Sequence, residues 1–424
     1  MVRSLLRSLT PDLAPFRESR DYRLLSAGAL VTGLGTQAAL VALPYQVYVL
    51  THDPLLVGLL GVVELGPLVA ASLIGGALAD RHDRRTMLLL CQLALVAVAG
   101  SLAAAAFAGN PPVWLLYVLA GAMAGAGQLE RVARQSMVPN LASPENLRAA
   151  LSTNFGLMQL TMVVGPALGG LLISWLGVGA AYTVDAVSCL GMALAAAAMS
   201  PRPPIGVEEH EPIGRSIATG LRFVRGDRAV MGSFAIDLLA MTFGMPRALF
   251  PVLALSVYHA GATGTGGLYA AVSAGATVAA LTTGWLGQAR YLGRIVFGAV
   301  GVWGLAVGAA GLMTTIWPAL VLFAIAGAAD SVSAVCRSTI AQTLTPDRMR
   351  GRMSAVFSLV VAGGPRLGDV ESGTVASVAS PRFSVVSGGL ACVAGLGLIA
   401  VLFPELYAYD GDRVTADVAA AAAA

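Results

Sequence analysis

Seven ionisable residues interrupt stretches that are otherwise apolar: Glu64, Asp237, Arg247, Asp330, Arg366, Asp369 and Glu371. Such a side chain near the middle of a bilayer costs ~2.5–3.5 kcal/mol on insertion scales, and it normally faces a cavity or a partner. Two kinds of chemistry follow. A carboxylate can carry a proton, provided that it is desolvated and free of a tight cationic neighbour. Glu64 has no basic residue within two turns on its own helix, so it is the first expected proton carrier, ahead of Asp237 and Asp330. An arginine can bind an anionic solute; Arg247 and Arg366 are the expected cationic contacts. Arg366 and Asp369 stand at i,i+3 and can pair, which reads as a structural or substrate-responsive pair. Asp330 and Arg337 share a helix face but lie about two turns apart, so no direct pair is expected between them. Glu130 and Arg134, at i,i+4, read as a structural pair, and Asp185 as an interfacial residue. Gln37, Tyr45, Gln46, Met158, Gln159, Phe243 and Met245 are further candidates for lining a cavity.

A second constellation is GALADRHDRR, which ends in six consecutive charged or titratable residues, Asp80 to Arg85. A third is VVGPALGG, Val163 to Gly170, where glycines permit close helix approach and Pro166 interrupts the backbone ladder.

The elements that must position these residues are membrane helices. The chain of 424 residues is 57% hydrophobic and 12% charged, against about 25% charged in a soluble domain. Long apolar runs predict about twelve spans, near 24–50, 55–79, 86–108, 113–137, 150–174, 180–199, 229–257, 265–287, 295–313, 317–340, 353–379 and 383–403. They do not alternate, so a β-barrel is not expected. Domain limits follow: an N-terminal segment 1–23, a six-helix bundle 24–199, a central loop 200–228, a second bundle 229–403 and a disordered tail 404–424. Within the loop, IGRSIATGLRFV has the pattern of a short helix on the membrane surface. The N-terminus lacks the apolar core of a cleaved signal peptide.

Arginine supplies every basic side chain beyond histidine, and the arginines fall on one side. Arg81, Arg84 and Arg85 follow the second span; Arg202, Arg215, Arg222, Arg225 and Arg228 occupy the central loop; Arg290 and Arg294 follow the eighth; Arg337, Arg348, Arg350 and Arg352 follow the tenth. The opposite connections lack arginine except at Arg382. By the positive-inside rule both termini are expected in the cytoplasm. The halves also repeat: VVGPALGG matches AGGPRLGD, RQSMVPNLASPENLR matches RSTIAQTLTPDRMR, and GALADRHDRR matches GWLGQARYLGR, all offset by about 200 residues. Two six-helix repeats facing a central cavity are expected.

The loop Gly76, Asp80, Arg81, Asp83, Arg84, Arg85 resembles the signature of the major facilitator superfamily, with Asp83 in place of its second glycine. The resemblance spans about residues 15–405 and implies an all-α membrane fold of twelve transmembrane helices in two pseudo-symmetric bundles. It further implies that this loop latches the two halves, with Asp80 accepting hydrogen bonds from a helix N-terminus and Arg84 pairing with acids. Gly156, Gly165, Pro166, Gly169 and Gly170 resemble the antiporter motif of exporters, with Thr161 in place of another glycine. GVVELGPLVAASLIGGALADRHDRR, AIDLLAMTFGMPRALFPVLA and GGPRLGDVESGTVAS resemble siderophore exporters of the enterobactin-exporter type, to which macrolide-efflux members are related.

These implications define a proton-antiporting exporter of a siderophore or similar amphipathic molecule, with a multidrug pump of the same fold as the alternative. An importer of the same fold and a non-transporting membrane receptor or assembly partner are further readings. Its partners would be a small-molecule substrate, protons and the lipid bilayer of a bacterial plasma membrane, with no nucleic acid, and a monomer suffices. No nucleotide-binding GK[ST] ending, HExxH or GxSxG set with partners occurs, so neither an enzyme nor a cofactor nor a metal is expected. Cys91, Cys189, Cys336 and Cys392 read as small buried apolar residues.

Overall fold

The computed structural model describes residues 14–201, 213–346 and 349–411. Residues 1–13, the acidic part of the central loop and the tail from 412 onward lie outside the described residues, and so do the expectations made for them. Twelve long helices occur among the described residues: α1 Arg20–Thr51, α2 Pro54–Arg81, α3 Arg84–Phe107, α4 Val113–Leu141, α5 Leu147–Leu176, α6 Val178–Ala198, α7 Arg228–Val257, α8 Gly261–Thr282, α9 Leu292–Leu312, α10 Ile316–Leu344, α11 Arg350–Val378 and α12 Pro381–Leu402. Eleven are long and apolar enough to cross a membrane; α11 departs from them because it carries Arg366, Asp369 and Glu371. Exposed Trp114, Trp175, Trp285 and Trp317 sit near span ends, where indole rings favour the bilayer interface.

The described residues form two compact units, one within Met1–Gln46 and Gly66–Glu208, the other within Val47–Leu65 and Glu209–Ala424. The second unit therefore includes the first part of α2, with Glu64.

In the first unit, Tyr22, Leu25, Leu88, Met137 and Ala150 form a buried core. The Tyr22 hydroxyl donates to the Ala150 carbonyl at 3.0 Å. Glycines set the helix spacing. A Cβ at Gly169 would lie 2.7 Å from Ala38 Cα, which brings α5 against α1. Asp185, expected at an interface, is instead buried, and its carboxylate accepts from the Thr36 hydroxyl at 3.0 Å. The small residues Gly35 and Ser188 let α1 and α6 meet there.

In the second unit, Gly275 faces the Ala324 carbonyl and Gly327 faces the Val272 carbonyl, so α8 and α10 touch along their backbones. A β-branched side chain has no room at either place. Gly275→Val or Gly327→Val should destabilise the protein by at least the 1–3 kcal/mol typical of overpacking, seen as a lower melting temperature in detergent. Gly298→Val, with nothing within 4 Å of its Cβ position, is the matched control and should leave it unmoved.

The helix expected on the central loop is present as Ile213–Gly226, and its Gly220 packs against the Arg352 carbonyl at the start of α11. The expectation of a disordered tail from 404 is corrected. Pro404–Tyr407 is a helical turn with Leu406 buried. Arg228–Glu405 at 2.9 Å and Arg290–Asp410 at 2.8 Å add ion pairs to that apolar anchor.

The span expected at 229–257 is also not one regular helix. Helix Arg228–Phe243 ends at Gly244, a 3₁₀ turn spans Arg247–Leu249, and π-helical backbone spans Leu253–Val257. Pro246 supplies no N–H and disfavours helical backbone at the residue before it, which breaks the ladder here.

Candidate functional site

The second unit gathers four of the intramembrane carboxylates and three arginines. Asp237 comes from α7 and Arg337 and Asp330 from α10. Arg337 Nη2 lies 2.6 Å from Asp237 Oδ1 and 3.9 Å from Asp330 Oδ1. Its Nη1 donates to Ser333 Oγ at 2.9 Å. The side chains of Arg337 and Asp237 are 5% and 4% exposed, that of Asp330 19%, so the looser carboxylate is also the more accessible one. Asp330 Oδ1 is buried and accepts no hydrogen bond from a described residue.

This corrects two expectations. Arg337 is not a cytoplasmic charge beyond the tenth span, because α10 continues to Leu344 and buries it. Nor is it too far from Asp330: seven residues separate the backbones by two turns, but the long arginine side chain covers most of that rise.

The second cluster lies where α2, α7, α8 and α11 meet. Arg366 Nη2 approaches Glu64 Oε2 at 3.6 Å. The freedom from a basic neighbour that marked Glu64 in the sequence holds on α2 but not across helices. Arg366 and Asp369 do not pair with each other, as the i,i+3 spacing allowed. Asp369 Oδ1 instead accepts from the Ala248 N–H at 3.2 Å. Close backbone approach makes this possible. A Cβ at Gly61 would lie 3.1 Å from Asp369 Cβ, and one at Gly373 would lie 3.1 Å from Gly58 Cα. On its other face, α11 brings Gly368 against the Met241 and Thr242 carbonyls of α7.

Arg247 is exposed at the break of α7, and the Tyr269 hydroxyl of α8 donates to its carbonyl at 3.0 Å. The charged network of this unit is Glu64, Arg366, Asp369, Arg247, Asp330, Arg337 and Asp237, one carboxylate in excess of its arginines. Glu371 is half-buried on α11, two residues past Asp369 and turned to another side, and has no place in the network.

The other candidates fall in the first unit. Gln37 is half-buried on α1 against Gly165, and Gln159 is half-buried on α5. Gln46 accepts from the Tyr182 hydroxyl at 2.9 Å. Gly165, Pro166, Gly169 and Gly170 are buried while Gly156 is exposed. Gly165 and Gly169 serve contact between α5 and α1 within the first unit. Glu130 and Arg134 pair at 3.0 Å as their spacing indicates.

In the loop after Gly76, Asp83 caps α3 by accepting from Arg85 N–H at 2.8 Å. Arg85 Nε donates to the Ala196 carbonyl at 2.9 Å, at the C-terminal end of α6, where a cation is favoured. Arg84 Nε reaches the Ala79 carbonyl at 3.4 Å, not an acid. Asp80 is half-buried and Arg81 exposed. The Asp83 and Arg85 contacts lie within the first unit. Sequence reasoning missed Arg337, Tyr269 and Trp303; the Gly-Met-Pro stretch Gly244 to Pro246 was the available signal for the break that Tyr269 and Trp303 contact.

Known proteins agree with this architecture. Residues 10–418 match the family described as transmembrane secretion effectors. The chain is 29% identical to the enterobactin exporter EntS of Shigella boydii, covering 85% of this chain and 86% of that protein. It is 29% identical to EntS of Salmonella typhimurium, with 85% and 87% covered. Among solved structures, a bacterial homologue of the iron transporter ferroportin in the inward-facing state superposes with a TM-score of 0.66 at 18% identity, covering 92% of this chain and 98% of that one. The nucleoside transporter NupG superposes with a TM-score of 0.70 at 12% identity, with 92% and 100% covered. The protein is a multi-pass membrane transporter, and it belongs to the transmembrane secretion effector family of the major facilitator superfamily.

Proposed function

We propose that the protein is a proton-coupled exporter of a siderophore or a similar amphipathic anion, working by alternating access from the cytoplasm outward. The observation that carries the coupling is the pair of carboxylates, buried Asp237 and half-buried Asp330, on the single guanidinium of Arg337. One arginine neutralises one carboxylate. In a site removed from water the second is costly as an anion and takes a proton instead. Asp237 holds the tight ion pair, so Asp330 is the proton site. Proton entry to Asp330 from outside and release inside would alternate with outward passage of the solute. Glu64 is the second candidate, its pairing with Arg366 making it a gating group.

The solute class is supported by the relatives named as enterobactin exporters and by Arg247, an exposed cation at the helix break. Both termini in the cytoplasm, a latch formed by Gly76, Asp80, Arg81, Arg84 and Arg85, and a monomeric unit belong to the same proposal. Efflux of lipophilic drugs is the alternative solute assignment.

The test is secretion. A strain lacking the gene, grown without iron, should hold its siderophore inside the cell by mass spectrometry. The wild-type gene should restore secretion, and Asp330→Asn should not. Unchanged secretion in the deletion strain would remove the siderophore assignment and turn the assay to lipophilic drugs.

A further inference from the structure

The turn after α12 is packed onto the connection between α8 and α9. The Gly411 N–H donates to the Arg290 carbonyl at 2.9 Å, and Arg290 pairs with Asp410 at 2.8 Å. Gly293, at the start of α9, lies directly against the Leu406 carbonyl, where no side chain fits. This packing sets Arg294 over two tyrosine rings. Its Cζ is 4.5 Å from the centre of Tyr291 and 5.7 Å from that of Tyr407. Phe297 braces Tyr407 edge-on at 5.4 Å.

Charge does not balance here. Arg228 pairs with Glu405 and Arg290 with Asp410, whereas Arg294 is exposed and has no carboxylate partner among the described residues. The repeat gives the reason. Arg294 ends GWLGQARYLGR as Arg85 ends GALADRHDRR. Arg85 donates to the Ala196 carbonyl near the end of α6. At the corresponding end of α12, Arg228 donates to the Leu402 carbonyl at 2.7 Å. Arg294 is thus released from the capping that its counterpart performs.

Its position is at the edge that meets lipid. Leu305 and Leu312 lie about three and five turns further along the same face of α9, and both are exposed. On that face a Cβ at Gly298 would meet nothing. On α8, exposed Val278 and Leu281 lead to exposed Trp285 at the same end of the bundle, where an indole marks the interface.

We propose that Arg294, with Tyr291 and Tyr407, binds the phosphate of an anionic phospholipid at the edge of the second unit. Stacking on the rings fixes the guanidinium by its flat face. Its N–H edge is left for a phosphate, which it can meet with two hydrogen bonds. The exposed apolar faces of α8 and α9 below it receive acyl chains, so the ligand is a lipid and not free phosphate.

Native mass spectrometry of the purified full chain, titrated with phosphatidylglycerol or with phosphatidylcholine of the same acyl chains, tests this. The wild type should bind phosphatidylglycerol several-fold more tightly. Arg294→Gln should weaken phosphatidylglycerol binding about five-fold and leave phosphatidylcholine unchanged. Tyr291→Leu keeps the charge but removes the stack; it should weaken binding roughly two- to five-fold, and it carries the test if Arg294→Gln does not fold. Arg148→Gln removes an exposed arginine of the first unit that stacks on no ring among the described residues, and should change nothing.

Equal binding of the two lipids by the wild type would overturn the proposal. So would equal weakening by Arg148→Gln and Arg294→Gln, the mark of attraction spread over the whole charged surface. Inorganic phosphate that displaces phosphatidylglycerol at millimolar concentration would make this a free-anion site, and that result also overturns it.

Discussion

Asp330→Asn should abolish proton-driven transport while leaving solute exchange intact. Asparagine has the shape of a protonated aspartate and keeps Arg337 paired with Asp237, 2.6 Å away. The site is then fixed in its proton-loaded form. Reconstituted in vesicles, the variant should lose at least ten-fold of the net transport driven by a pH gradient. Counterflow at equal solute on both sides, which needs no proton to dissociate, should persist. Its rate should no longer depend on pH, whereas the wild-type rate should. Loss of both activities together would make Asp330 a solute-binding or structural residue. Glu64→Gln serves as the comparison. Glu64 faces Arg366 at 3.6 Å, and its neutralisation should slow cycling but retain the response to the gradient.

Arg337→Gln should produce the largest loss of stability of any single change in the network. It removes the cation from a carboxylate, Asp237, that is 3% exposed. Breaking a buried pair from one side costs about 3–5 kcal/mol, because the remaining charge has neither water nor a partner. At a few degrees per kcal/mol, the melting temperature should fall by on the order of 10 °C. Asp237→Asn added to Arg337→Gln should recover most of that loss, since two neutral side chains can hydrogen-bond to each other. Transport should not return, because Asp330 has lost the guanidinium that sets its proton affinity. Additive losses in the double variant would show that Arg337 and Asp237 act independently, against the pairing described here.

These residues also show where sequence reading succeeds and where it stops. The helices were legible because each must satisfy its own backbone in lipid and carry a long apolar run. α11 was recognised despite its three charges because the apolar residues around them still form a run long enough to span a bilayer. Asp237, Asp330, Asp369 and Glu64 stood out as charges in apolar surroundings. Their partners did not. Arg337 looked like one more cytoplasmic arginine, since a span boundary drawn by hydropathy placed it at the helix end. The pairing of Glu64 with Arg366 joins residues some 300 positions apart, and no local spacing reports it. The i,i+3 rule offered Arg366 and Asp369 to each other, but packing against α2 and α7 turned them to different neighbours. Local rules name what one helix permits; the choice among permitted partners is made by the helices packed against it.

Proton movement is the most direct measure of the central claim. Proteoliposomes holding the wild-type chain and a trapped pH indicator would be given enterobactin on one side only. Movement of the siderophore across the membrane should drive protons the opposite way, and Asp330→Asn should show none. Siderophore movement with no opposing proton flux in the wild type, or an equal flux in Asp330→Asn, would contradict the account.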